Sequence, residues 1–342
     1  MFLWYSITNA QVITGVVCDK DTKLPVSNVY VFLDGTSINT ITNNLGKFEL
    51  KTAPVINTSL VLQHLSYETT IVDRPYQGLP DTLYIEAKIN ILDEITVSPD
   101  RFTRTQKIRA FREQFLGVSR AGSSCKIINE DDIQLFFNMH TRKLSAFSDK
   151  PIVVVNDYLG YKISLILINF EVQYGSNLTL NRNNVQTSIL AVVSSFTDMT
   201  PNDSRILQHR DNVYEQSSNY FFKSFANDVL QNNNFRIFNN FEIDYRQYFA
   251  IEDTLSQKKI CIIPDTDINK ISSHLSESEL SGKIYVFYRG NILSEIEFLT
   301  DSFLVDRYGN IDCIDKVLFS GQMGENRVGN MLPIDYEPRY PR

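Results

Sequence analysis

Hydrophobic alternation marks the first quarter of the chain as β-rich. Val29, Val31 and Leu33 alternate with Tyr30 and Phe32. Both sets are apolar, as in a strand covered on two faces. Phe48 and Leu50 alternate with Lys47 and Glu49, the pattern of a strand with one face in a core. Between them, Asp34-Gly35 and Asn43-Asn44-Leu45-Gly46 supply turn chemistry. Further strands are expected at 59–65, 69–73, 82–87 and 91–97, with turn signals at the spacing of a β-sandwich.

The pattern changes after Pro99, which breaks the last of these strands. Arg104 to Leu116 reads as a helix, with Ile108, Phe111 and Phe115 on one face. Arg101, Arg104, Lys107, Arg109 and Arg112 give it a basic side, a solvated face or a contact for lipid phosphates or an acidic partner. Farther on, 152–155 and 161–170 read as strands and 284–288 as a buried-type strand. Tyr214 to Leu230 reads as one helix, because Phe221, Phe222, Phe225, Ala226 and Val229 recur at helical spacing before Asn232-Asn233-Asn234. This gives an all-β sandwich at 12–98, a helical connector at 99–120 and an α+β region at 121–342.

Length agrees with more than one unit: 342 residues exceed one typical domain. The net charge of −7 argues against a nucleic-acid partner, which calls for a basic footprint. No stretch reaches the ~18 apolar residues of a transmembrane helix. The opening MFLWYSITNAQ ends in Thr8-Asn9-Ala10-Gln11, the small-residue texture of a signal-peptide end, and 1–11 is expected to be a signal-peptide remnant of an exported protein; an ordinary first strand is the other reading. Cys18, Cys125, Cys261 and Cys313 lie far apart without a CxxC or Cys/His cluster, so a zinc site is not expected, and their disulfide status stays open.

Gly15-Val16-Val17, Asp19, Thr22, Leu24-Pro25, Asn28-Val29, Gly35-Thr36, Thr42 and Gly46-Lys47-Phe48 resemble the carboxypeptidase-regulatory-like, or prealbumin-like, domain. The sequence departs from that pattern at Leu24-Pro25, where the order is reversed, and at Asn43, which replaces an aspartate. The resemblance implies a β-sandwich of a kind that precedes many outer-membrane receptors of Bacteroidetes and occurs in other envelope proteins. Ile91-Leu92-Asp93-Glu94-Ile95-Thr96-Val97-Ser98 resembles the strand leading into the plug of TonB-dependent receptors. The ~240 residues that follow are too few for a plug and a large barrel. Leu116-Gly117, Cys125-Lys126-Ile127, Leu159-Gly160-Tyr161-Lys162-Ile163, Arg210, Tyr214, Phe222, Ser320-Gly321, Arg327-Val328 and Leu332-Pro333-Ile334-Asp335-Tyr336 resemble an uncharacterised Bacteroidetes envelope group. That second resemblance implies a compartment and no activity.

Motifs for catalysis are missing. There is no G-x-S-x-G elbow and no H-E-x-x-H pair. His64, His140, His209 and His274 include no pair at ligand spacing, and His64 with Glu68 lies in strand-like sequence. The zinc motif of carboxypeptidases belongs to a different domain. Carboxylate groups occur at Glu130-Asp131-Asp132, Asp265/Asp267, Glu277/Glu279 and Glu295/Glu297, but acid–base work needs a defined spatial separation. Asp265, Asp267 and Asn269 resemble the start of a calcium loop that fails at Lys270 and Ser276, so a turn is expected. Tyr158 and Tyr161, flanking Gly160, could stack on a sugar, although core placement is the expected role.

No catalytic, cofactor-binding or metal-ligating residue is therefore assigned, no cofactor is expected, and the ligand-binding residues are left open. The expectation is a non-catalytic cell-envelope protein, periplasmic or outer-membrane associated, that engages a partner protein or a glycan. The alternatives are a hydrolase with a carboxylate site in 121–342 and an accessory to TonB-dependent transport. Residues 22–50 are expected to be scaffold, with Phe48 in the core.

Overall fold

The computed structural model describes residues 11–52, 55–88, 101–239, 241–263 and 282–338. The expected strand at 91–97, the break at Pro99, the Asp265–Ser276 loop, Glu277/Glu279, His274 and nearly all of the 1–11 segment lie outside the described residues. Three buried cores succeed one another along the chain.

The first core lies between two sheets. One has the order β4-β1-β7, from β1 (Gln11–Asp19), β4 (Lys47–Thr52) and β7 (Thr82–Ile85), with β1 and β7 parallel. The other has the order β3-β2-β5-β6, from β2 (Tyr30–Leu33), β3 (Asn39–Ile41), β5 (Leu60–His64) and β6 (Tyr67–Val72). Ile13, Val17, Phe48, Leu50 and Leu83 of the first sheet meet Val31, Leu33, Leu60 and Leu62 of the second. Strand β4 alternates strictly between exposed and buried residues, as its sequence requires. Gly46 turns the chain into β4 at φ +69°, and a Cβ there would lie 2.5 Å from the Val17 carbonyl oxygen, so glycine is required twice over.

The second core is built on one long hairpin. Strands β12 (Tyr161–Tyr174) and β13 (Val185–Asp198) pair antiparallel along their whole length. On the other side of β12 lie β11 (Ile152–Asn156) and β10 (Lys143–Phe147), flanked by β8 (Cys125–Ile127) and β9 (Gln134–Asn138). Helix α1 (Arg104–Phe115) begins at a capping box made by Thr103 and Gln106. Its Phe111 and Phe115 are fully buried against the sheet, stacked 4.7 Å apart, so the segment expected as a connector contributes to this core. Three of its basic side chains are engaged within the fold. Arg104 donates to the carbonyls of Ile133 and Glu130, Lys107 to that of Leu135, and Arg112 pairs with Glu130. The short helix α2 (Arg120–Ser123) follows.

The third core holds sheet β15-β14-β18-β19-β21 and sheet β16-β17-β20: β14 (Phe235–Asn239), β15 (Phe241–Glu242), β16 (Phe249–Asp253), β17 (Lys258–Ile262), β18 (Gly282–Tyr288), β19 (Asn291–Phe298), β20 (Ser302–Val305) and β21 (Val317–Gly321). The expected helix at 214–230 is shorter: Tyr214 ends a preceding helix that the pattern did not suggest, α3 (Ser204–Tyr214), and α4 covers only Ser218–Ala226. Ser217 breaks the run: its hydroxyl accepts the Tyr220 N–H and starts α4 afresh. Asp228, left-handed at φ 58°, follows the early end of α4. Phe221, Phe222 and Phe225 fill the core from α4. Strand β18 is not buried on both faces: Ile284 and Val286 point inward, whereas Tyr285 is exposed. Beyond the first unit, the composition is thus mostly strands with a few helices, a mixed α/β chain.

Candidate functional site: a cleft where three cores meet

The first unit is joined to the second through the edge of β13. Ser194 N–H donates to Asp34 Oδ1 at 2.7 Å, Gly35 N–H to the Ser194 carbonyl at 2.8 Å, and Phe196 N–H to the Thr36 carbonyl at 2.9 Å. The loop 34–36 therefore forms a short parallel extension of the sheet. Phe32 and Val61, on the outer face of the first unit, pack against Val193 and Ile166. This explains the apolar residues on both faces of β2: one set fills the first core, and Phe32 fills the joint.

A second joint links the first unit to the third. Asp306 Oδ2 accepts Asn57 N–H at 2.9 Å and Asn310 Nδ2–H at 2.8 Å, while its Oδ1 accepts the N–H groups of Tyr308 and Asn310. Asn57 Nδ2–H donates to the Asn310 carbonyl at 3.0 Å. Gly309 allows this turn at φ +92°; a Cβ there would fall 2.0 Å from the Asn219 carbonyl oxygen of α4.

The C-terminal strap, 327–338, ties all three. Gly329 N–H donates to the Leu116 carbonyl, and the Gly329 carbonyl accepts from Asn156 Nδ2–H. Ile334 N–H donates to the Gly35 carbonyl at 2.8 Å, Ser37 Oγ–H to Asp335 at 3.2 Å, and Tyr336 Oη–H to Asp211 at 2.5 Å. Beneath it, Arg210 is 2% exposed. Its guanidinium makes two bonds to Asp198, at 2.7 and 2.8 Å, donates to the carbonyls of Leu159 and Gly160, and lies 3.8 Å from the Tyr161 ring centroid. The segments quoted above for their second resemblance, 159–163, Arg210, 327–328 and 332–336, thus converge on this joint.

Between the three units opens a cleft of about 1640 Å³. The hairpin turn 253–257, the 309–315 segment, 55–59, 73–77, and Val192 and Ser194 of β13 line it. Aspartates 34, 73, 253, 312 and 315 line it, against one cation among the described residues, Arg74. Burial pushes the Asp34 carboxyl up to about 6, against the opposing bonds from the Ser194 and Gly35 N–H groups. Burial also raises Asp306 and Asp335, opposed first by the Asn310 side chain at Asp306 and by backbone and Ser37 bonds at Asp335. Several of the cleft's carboxylates already have partners: Asp73 accepts Ser59 Oγ–H at 2.7 Å, Asp312 accepts Leu304 N–H at 2.8 Å, and Asp253 pairs with Lys258.

The residues singled out from sequence are placed elsewhere. Glu130 pairs with Arg112, Asp132 with Lys150, and Glu295 and Glu297 with Lys283 across β18 and β19. His64 Nδ1 accepts the Ser66 N–H, His140 is exposed, and His209 contacts the Tyr158 carbonyl at 3.0 Å. Tyr158 is stacked 3.9 Å from the His209 ring, with Arg120 also near its ring at 5.3 Å, and Tyr161 is 3% exposed under Arg210. The Tyr158–Gly160–Tyr161 turn is therefore packing, as expected, and offers no open sugar platform. Among the described residues, the four cysteines are free and no group of three or more metal-ligating side chains occurs. No described helix is long and apolar enough to cross a membrane. Sequence reasoning missed Asp34, Asn57, Asp306 and Asn310. The Asp306-x-x-Gly309-Asn310 turn was the available signal, but only contact with Asn57 makes it a joint.

The two-sheet unit is a β-rich module of a known class. Residues 13–97 match the CarboxypepD_reg-like domain, and the chain carries a carboxypeptidase regulatory-like domain there. No curated protein matches the chain. Among solved structures it is similar to a 9R-lipoxygenase from Cyanothece PCC8801, at 11% identity and a TM-score of 0.19 over 66% of this chain. The alignment spans 47% of that enzyme, about half its length, and a likeness this weak carries no argument about fold or activity.

Proposed function

We propose that this chain is a non-catalytic cell-envelope protein that binds a partner protein or a glycan in the cleft between its three cores. The carrying observation is the cleft itself: about 1640 Å³, and bounded by elements hydrogen-bonded to one another through the joints at Asp34, Asp306 and the strap. Pre-organised walls reduce the ordering cost of binding. The non-catalytic reading is supported by the engagement of Asp34, Asp73, Asp253 and Asp312 in local bonds or ion pairs. The envelope assignment rests on the carboxypeptidase regulatory-like domain and on the resemblance of the later segments to an envelope group.

The test is affinity capture of the tagged chain from envelope extracts, with bound proteins and glycans identified by mass spectrometry. A stoichiometric partner lost on Leu255→Glu, at the exposed tip of the cleft's hairpin wall, is the expected result. A blank capture, or turnover of any screened polymer by the purified chain, would count against the reading.

A further inference from the structure

We infer that the free edge of β13 takes up an extended basic segment of a partner protein, added as a strand that runs into the cleft; this rests on the binding reading above. The edge is already used for the purpose within the chain. Ser194 and Phe196 direct backbone groups away from β12, and the 34–36 loop fills them. Because strand residues alternate, Leu190 and Val192 direct their N–H and C=O groups to the same side. Among the described residues, no element pairs with β13 there.

Natural edge strands are guarded by lysines, prolines or bulges in the edge strand itself. Residues 185–193 read Val-Gln-Thr-Ser-Ile-Leu-Ala-Val-Val, with no charge and no proline. Of the two register irregularities, one places its extra residue, Ile168, in β12, and the other places Gln186 as an extra residue near the start of β13, so β13 keeps its alternation from Thr187 onward. On β13 itself, Ile189 is 49% exposed. An added strand would cover it with a side chain on the same face.

Charge selects the occupant. Val192 and Ser194 line the cleft, so a strand on this edge enters a space that the described residues wall with aspartates 73, 312 and 315 and with Arg74. A segment alternating lysine or arginine with apolar residues matches both features. Backbone pairing supplies affinity, and the acidic wall supplies selectivity and rate.

The probe is a fluorescein-labelled peptide of alternating lysine and valine, with a glutamate–valine control, titrated against the full chain by fluorescence anisotropy. The lysine peptide is expected to bind and the control not to. Leu190→Pro, which removes an outward N–H, and the pair Asp73→Asn with Asp315→Asn should each weaken binding about tenfold or more. Hydrogen exchange at the Leu190 and Val192 amides should slow on saturation in the wild-type chain, a reading that does not depend on how the proline variant folds. Absence of lysine-peptide binding, or unchanged exchange at those amides, overturns the proposal. So does binding of cellohexaose in place of the peptide, which would put a glycan in the cleft. A peptide blank with a partner still captured from the envelope sinks this edge alone; two blanks sink the binding reading as well.

Discussion

Asp34→Asn should make the protein more stable at neutral pH. Asp34 holds the first joint through Ser194 N–H, yet its carboxyl is desolvated and its pKa stands at about 6 against an ordinary 3.8. As pH rises from about 4 to 6, the unfolded chain releases this proton first and the folded chain retains it. Stability therefore falls across that window and is flat above it. The rise corresponds to roughly 3 kcal/mol of destabilisation at pH 8, fully absent well below pH 4. Asparagine keeps an oxygen for Ser194 N–H and is neutral throughout. The variant should gain up to roughly 3 kcal/mol over wild type at pH 8 and nothing at pH 3.5. Other carboxyls titrate in both proteins and cancel in the difference. Urea unfolding of the pair at several pH values reads this directly. A difference that fails to grow between pH 4 and pH 7, or a variant less stable at pH 8, would refute a desolvation penalty at Asp34.

Three further perturbations separate the cores from the joints. Phe48→Ala, a truncation in the first core, should cost about 3–5 kcal/mol in chemical unfolding; an unchanged melt would remove Phe48 from that core. Arg210→Gln leaves Asp198 and two carbonyls without their cation and should cost about 3–5 kcal/mol, with a strong coupling to Asp198→Asn in a double-mutant cycle; additive effects would deny the pair. Gly329→Ala places a Cβ 2.3 Å from Gly122 Cα and 2.5 Å from the Leu116 carbonyl oxygen, so the strap must lift. A loss of about 1–3 kcal/mol and faster proteolysis of the strap are expected, and wild-type resistance to protease would show that the strap is not held there.

Local structure was legible wherever one residue decides it. The alternating burial of β4 follows from Phe48 and Leu50, the Gly46 turn from Asn43-Asn44-Leu45-Gly46, and α1 from its apolar face at Ile108, Phe111 and Phe115. Pairwise local chemistry was read less well. The phenylalanine spacing of α4 was visible, but Ser217 divides the helical run, and its capping role depends on the φ/ψ that the chain adopts there. The candidate site was hardly legible at all, because its walls come from segments up to about three hundred positions apart, and no periodicity links Asp34 to Ser194 or Asn57 to Asp306.

The sequence by itself determined the β-rich first module, the core face of β4 and the turns that glycine alone can make. These depend on side-chain alternation and backbone sterics within a few residues. Only the tertiary structure decided that Phe32 faces a second sheet, that Asp34 is buried, that Arg210 pairs with Asp198, and that 327–338 is a strap. Burial and pairing between distant segments are properties of packed surfaces. An aspartate in a loop has the same local sequence whether water or another strand lies against it.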